Sequence, residues 1–234
     1  MATKKNKAAE RAERAAALLR EQKQRERRRN LITGGVVAAV LAGLVVVGIL
    51  ISRSGEVEAP TASDYGVAIG DPDAEHRVVI YEDFLCPACG AFEAQTHEEL
   101  EQLADDGQAY VEYRPFELLS QFGDYSARSV SAFGVVLEES GPEVAKEFHD
   151  LLFAEQPEEG DEPYPDADWL VEKAVEAGAE EDAVRPGIEQ GVTEFAEQAT
   201  AEARDANVNS TPTVLLDGET FNGSVEELLD ELRS

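Results

Sequence analysis

Cysteine is scarce in this chain: two in 234 residues, at Cys86 and Cys89, accompanied by three histidines and one tryptophan. Two thiols cannot build a disulfide-stapled scaffold. A structural zinc site wants four ligands and would have to recruit from His76, His97 and His149, which the sequence scatters. Lysine is almost missing beyond residue 30, where only Lys146 and Lys173 occur. Residues 31–234 carry nine basic side chains against forty-five acidic ones. So acidic a surface is strongly solvated and excludes nucleic acid as a partner. No internal repeat is present.

The missing bases are at the other end. Residues 1–30 hold eleven of the twenty Lys and Arg with only four acids, and residues 7–29 favour a helical, solvated stub. Between the two regions, residues 31–51 contain no charge at all. At about 1.5 Å per residue this run reaches roughly 31 Å, the thickness of a bilayer's hydrocarbon core. Its length, the long basic region before it and the lack of a small-residue cleavage site after it favour an uncleaved anchor over a secretory signal. Arg25, Arg27, Arg28 and Arg29 precede the run and only Arg53 closely follows it. The positive-inside rule then assigns residues 1–30 to a cytosolic tail, 31–51 to a transmembrane helix and the rest to the outside, where thiols can cycle with disulfides.

Residues 52–63 read as a polar linker, and residues 64–234 as a folded extracytoplasmic domain. Val78 to Tyr81 form a short β-rich run, and Tyr110 to Phe116 a second one. Pro87 to Ala104 predict a helix with Phe92, Leu100 and Leu103 on its apolar side. A helical block follows over about 124–206. Its markers are Val130, Phe133 and Leu137, then Phe148 and Leu152, then Trp169 and Leu170 behind an Asp166 cap, then Val192, Phe195, Ala199 and Ala203. Gln156 to Pro165 read as a surface loop within it. The chain ends in a strand (Thr213 to Leu216), an Asp217-Gly218 turn, a short return and a Ser224/Glu227 capping box opening a last helix. Strand, helix, strand, helices, hairpin, helix is an α/β layout with a helical insertion.

With Pro87 at the first helical position, Cys86 becomes the N-cap, and its thiolate meets the N–H groups of Ala88 and Cys89 and the positive end of the helix dipole. Both favour the anion, so Cys86 is the candidate nucleophile; Cys89, one turn in and more shielded, suits a resolving role. The competing readings are an inert disulfide, which would close too short a loop to stabilise much, and half of a metal site. Thr211-Pro212 enters the late strand, where a cis bond would leave a backbone edge able to pair with an extended substrate; an ordinary trans proline at a strand start is the alternative.

These residues resemble a known group. VVIYEDFLCPACGAFE, the helical insertion and VNSTPTVLLDGETFNG are similar to the DsbA-like branch of the thioredoxin superfamily, and more narrowly to membrane-anchored thiol–disulfide oxidoreductases of Gram-positive, actinobacterial type. The resemblance covers residues 65–234. It implies a thioredoxin-like fold with an inserted helical subdomain, with Cys86 attacking, Cys89 resolving and Pro212 as a cis-proline facing them. Asp83 and Phe84 match the family's D-F before the motif, and Thr211 its residue before the proline. The sequence departs from the pattern at Ile80, where many relatives carry a buried acid that moves protons. Glu82 lies on the same strand face and is the candidate replacement. Pro87-Ala88 also lacks a histidine or tyrosine that would tune the thiolate.

The expected activity is disulfide exchange with exported cysteine-containing proteins, as an oxidant recycled by a membrane redox partner. An extracytoplasmic reductase or isomerase is the rival, and a non-catalytic peptide-binding sensor a third reading. No metal or organic cofactor is implied.

Overall fold

The computed structural model describes residues 62–234. The basic tail, the apolar run 31–51 and the linker up to residue 61 lie outside the described residues. Among the described residues no helix is long and apolar enough to cross a membrane.

Five strands form one sheet in the order β1-β3-β2-β4-β5: β1 (Val67–Ile69), β2 (His76–Glu82), β3 (Ala109–Pro115), β4 (Thr213–Leu216) and β5 (Glu219–Thr220). The central pair β2 and β3 runs parallel, Val78 opposite Val111 and Glu82 opposite Pro115, and the remaining pairs are antiparallel. A parallel pair needs a crossover, supplied by α1 (Pro87–Asp105). The insertion is α2 (Tyr125–Ser140), α3 (Pro142–Ala154), α4 (Ala167–Glu176), α5 (Glu181–Ile188) and α6 (Glu194–Asp205), and α7 (Val225–Leu232) closes the chain.

The period-2 geometry of β2 divides the core. Val78 and Ile80 join the large cluster with Leu100, Phe133 and Phe148, whereas Val79 and Tyr81 face Leu215, Phe116 and Ala203 on the other side. All four are essentially excluded from solvent, and each such aliphatic burial is worth roughly 1.5–3 kcal/mol. Asp217 (φ 52°) and Gly218 (φ 87°) take the paired left-handed conformation of a tight hairpin turn. Asp166 caps α4 through Trp169 N–H (3.1 Å), and Ser224 with Glu227 forms the reciprocal box at α7.

Several details depart from expectation. Strand β1 is three residues long, too short to show a period. Helix α5, with Pro186 inside it, is a separate element. Val192 precedes α6 and is half exposed, so it does not belong to that helix's apolar face. The returning strand is confined to Glu219–Thr220.

Candidate active site

Asp83, at the exit of β2, organises the loop that carries the cysteines. Its buried carboxylate accepts hydrogen bonds from Leu85 N (2.8 Å), Leu118 N (2.8 Å), Leu119 N (2.9 Å) and the Ser126 hydroxyl. One side chain thereby ties the loop after β2 to the loop after β3 and to α2. Phe84 is fully buried against Phe153, His149 and Phe133, with ring centroids 5.2, 5.6 and 6.2 Å away. The Asp-Phe dipeptide is therefore a polar clamp beside an apolar wedge.

Pro87 opens α1 and Cys86 is its N-cap, with extended backbone (φ −75°, ψ 117°). The reduced pair is unequal: Cys86 keeps 6% of its surface and Cys89 none, while Pro87 and Ala88 between them are exposed. The Cys89 thiol bonds to the Cys86 sulfur and is the largest influence lowering Cys86 from the ordinary thiol value to about 6; burial opposes it, and Thr211 adds to it. The N–H groups of Cys89 and Ala88 favour the anion as the helix start implies, but they fall short of side-chain capping geometry and act most weakly. Cys89 is driven far the other way by burial, then by the Cys86 sulfur and the negative charge of Glu82.

Thr211–Pro212 is cis, and the Cys86 thiol donates to the Thr211 carbonyl at 3.5 Å. A thiolate instead attracts the Thr211 hydroxyl, so this one residue meets both protonation states. Beyond Pro212 lies a cleft of about 220 Å³ lined in part by Phe92, Thr213, Phe221 and Asn222.

Glu82 is fully buried on the Ile80 face of β2 and bonds His149 Nε2 at 2.9 Å. His149, in the apolar stretch Phe148 to Phe153, is wholly buried and paired on both nitrogens, Nδ1 meeting Asp150 at 2.9 Å. Burial disfavours its charge, but the hydrogen bonds it donates to Asp150 and Glu82 prevail and lift it to about 9. Glu93, one turn beyond Cys89, is buried close to both. Donor atoms of Glu82, Glu93 and His149 converge within 4.8 Å, and so do those of Glu93, His97 and Asp150. This spacing would also suit a cation, though neither group includes a cysteine.

Gln156 escaped sequence reasoning because it sits in the stretch read as a surface loop. Its Nε2 donates to the carbonyls of Phe84 and Cys86, 3.0 Å each, and braces the cysteine loop from behind. Gly90 makes room for it, since a Cβ there would lie 2.3 Å from Gln156 Oε1.

Comparison with known proteins gives a consistent picture. The family model described as thioredoxin matches residues 62–232. The reduced disulfide bond oxidoreductase DsbG of Mycobacterium tuberculosis is 31% identical, with a TM-score of 0.62 over 76% of this chain and 85% of that one. Oxidised DsbA of the same organism is 31% identical, with a TM-score of 0.61 over 76% and 91%. BdbD of Bacillus subtilis, 19% identical with a TM-score of 0.65 over 76% and 99%, shares the fold. Among curated proteins, the serine/threonine-protein kinase PknE of M. tuberculosis is 27% identical over 158 residues, 64% of this chain. The chain spans 28% of the length of that relative.

Proposed function

The chain belongs to the DsbA-like family of thioredoxin-fold thiol–disulfide oxidoreductases, and from that premise we propose that it is a membrane-tethered oxidant of exported proteins working through Cys86 and Cys89. A substrate thiolate attacks the Cys86–Cys89 disulfide at Cys86, Cys89 leaves, and a mixed disulfide forms. The substrate's second thiolate then displaces Cys86, so the substrate is oxidised and the enzyme reduced by two electrons. A membrane redox partner bearing a disulfide restores the pair. The apolar run 31–51 supports the tether, with residues 1–30 in the cytosol and the folded domain outside.

The observation that carries the direction is the inequality of the two sulfurs. Cys86 is held as a thiolate at neutral pH and Cys89 as a thiol. Stabilising the Cys86 thiolate stabilises the reduced enzyme, and a stable reduced form makes a strong oxidant. The cis-proline edge at Thr211–Pro212 and the adjoining cleft supply a surface on which an extended cysteine-bearing segment can lie. Asp83, Phe84 and Gln156 hold the loop, Pro87 starts the helix, and exposed Ala88 leaves the approach to Cys86 open.

Equilibration of the full-length chain with glutathione buffers tests the reading. A potential near about −120 mV is expected of an oxidant, whereas one near about −270 mV assigns the chain to reduction.

A further inference from the structure

A second cleft, of about 290 Å³, lies between α1 and α3 and shares no lining residue with the one beside Pro212. Glu93, His97 and Asp150 line it. Glu93 and His97 stand one turn apart on α1, so helix geometry puts them on one face, and Asp150 meets them from α3. One donor atom from each lies within 4.8 Å of the others. His97 Nδ1 is 3.7 Å from Asp150 and its Nε2 is 3.7 Å from Glu101, both too long for hydrogen bonds. A zinc ion with bonds of about 2.0–2.1 Å holds its donors roughly 3.3 Å apart, so small side-chain rotations would close the triad.

Burial points to a ligand independently. Glu93 keeps 4% of its surface, yet neither carboxylate oxygen has a hydrogen-bond partner among the described residues. A buried carboxylate without donors is costly. A proton shared with Glu82, whose Oε1 is also without a partner, is the competing occupant. It joins one oxygen of Glu93 to Glu82 and leaves the other without a donor. Asp150 accepts from Lys146 at both oxygens and from His149 at Oδ1, which leaves one lone-pair position unused.

Charge agrees. The carboxylates of Glu82, Glu93, Glu101 and Asp150 gather from β2, α1 and α3 around two cations, Lys146 and the His149 imidazolium. Tyr113 is buried and neutral beside them, and Glu147 stands exposed at the cleft's mouth. With the carboxylates ionised the cluster lacks two positive charges, which is the charge of one divalent ion. A single proton supplies half of that.

We propose that Glu93, His97 and Asp150 bind a divalent transition-metal ion of the zinc type in the α1/α3 cleft, with water from the cleft in the remaining position. An imidazole among the ligands selects against Ca²⁺ and Mg²⁺, which take oxygen. Three protein ligands and an open position are a familiar zinc arrangement. The site lies outside the disulfide chemistry and does not depend on it. Without the ion, burial and then the charge of Glu82 raise the Glu93 carboxyl to about 9, so binding displaces a proton. Glu93 is one turn beyond Cys89, and the ion therefore ties the cysteine-bearing helix to the insertion, stabilising the folded chain by mass action.

The full-length Cys86→Ser, Cys89→Ser double variant, stripped with chelator, removes the thiols as zinc ligands and serves as the parent. Titration calorimetry with zinc chloride should show one equivalent bound at micromolar concentration, with a raised melting temperature, and calcium chloride should produce neither. Added to this parent, H97Q and E93Q should each weaken Zn²⁺ at least about tenfold, since losing a group that merely orients a ligand already costs that much. Co²⁺ should give visible d–d bands in the parent that H97Q removes. H76Q alters the imidazole paired with Asp217 and should leave the affinity unchanged. His97 is partly exposed, so H97Q keeps the test alive if E93Q does not fold. No saturable binding at micromolar Zn²⁺ overturns the site and leaves the shared proton as its occupant. So does unchanged affinity in H97Q or in a folded E93Q, loss of binding in H76Q, or Ca²⁺ binding as tight as that of Zn²⁺.

Discussion

Raising the pH should change the redox potential of this pair along a bent line, and the position of the bend tests the Cys86 environment directly. Forming two thiols from the disulfide takes up two protons with two electrons. With Cys86 at about 6 and Cys89 held protonated far above neutrality, the reduced enzyme binds two protons below pH 6 and one above it. Each proton per two-electron couple is worth about 30 mV per pH unit, so the slope should fall from about −60 to about −30 mV per unit. Glu93 and His149, both raised, stay protonated on either side of the bend and do not obscure it. The same displacement stabilises the reduced protein. Between the ordinary thiol value of 9.0 and about 6 the folded state binds fewer protons than the unfolded one, so stability rises with pH through this window. By pH 7 the gain is about 1.4 kcal/mol, and it is lost as the pH falls through 6. The assay is glutathione equilibration at half-unit steps from pH 5 to 8, read by alkylation of free thiols. A single slope near −60 mV across that range would refute the thiolate assignment, and with it the oxidant argument.

Three further outcomes follow from the site. Cys89→Ser should accumulate a mixed disulfide between Cys86 and a thiol substrate, visible on non-reducing gels, and Cys86→Ser should form none. Asp83→Ala strands three backbone N–H groups and a hydroxyl, so a loss of about 3–5 kcal/mol and a melting temperature roughly 10 °C lower are expected by calorimetry. Gly90→Ala drives Gln156 from its two carbonyls, costing about 0.5–1.5 kcal/mol for each hydrogen bond, but gains about 1 kcal/mol in helix propensity. A net loss of only about 0–2 kcal/mol is therefore expected while the Cys86 alkylation rate changes, and unchanged reactivity with a larger drop in stability would contradict the bracing role of Gln156.

Local signals made much of this architecture legible. A β-branched run announces β2, Pro87 starts α1, Asp217-Gly218 turns the hairpin, and Ser224 with Glu227 opens α7, because each device acts within a few residues. What escaped depends on distance along the chain. Gln156 meets the cysteine loop 70 residues away, and nothing in a loop glutamine foretells that. His149 sits in the apolar pattern Phe148 to Phe153 and reads as packing until the fold brings Glu82, 67 residues earlier, against it. The neighbouring thiol's hold on Cys86 was not read from sequence either: the helix start favours the anion as expected, but the Cys89 thiol acts on the sulfur more strongly than the backbone does.

Position 80, where the family resemblance leads one to look for a buried acid, shows why the acid stands at 82 instead. Ile80 pairs with Tyr113 and Val214 within the sheet and faces the apolar core, where an ion would face several kcal/mol of desolvation. Glu82 lies about 6.5 Å further along the same face, at the sheet's end, where α3 delivers an imidazole to it. Acid and histidine are thus one device, and moving the acid alone should not preserve it. In wild type, His149 is lifted from 6.5 to about 9, which contributes about 3 kcal/mol of stability, present in full below pH 6.5 and lost as the pH rises through 9. The double exchange Ile80→Glu, Glu82→Ile removes the partner of Nε2, so His149 should titrate lower and the alkaline loss of stability should begin at a lower pH. Melting temperatures from pH 6 to 10 decide the matter, because an alkaline limb unchanged from wild type would mean that Glu82 does not hold the charge on His149.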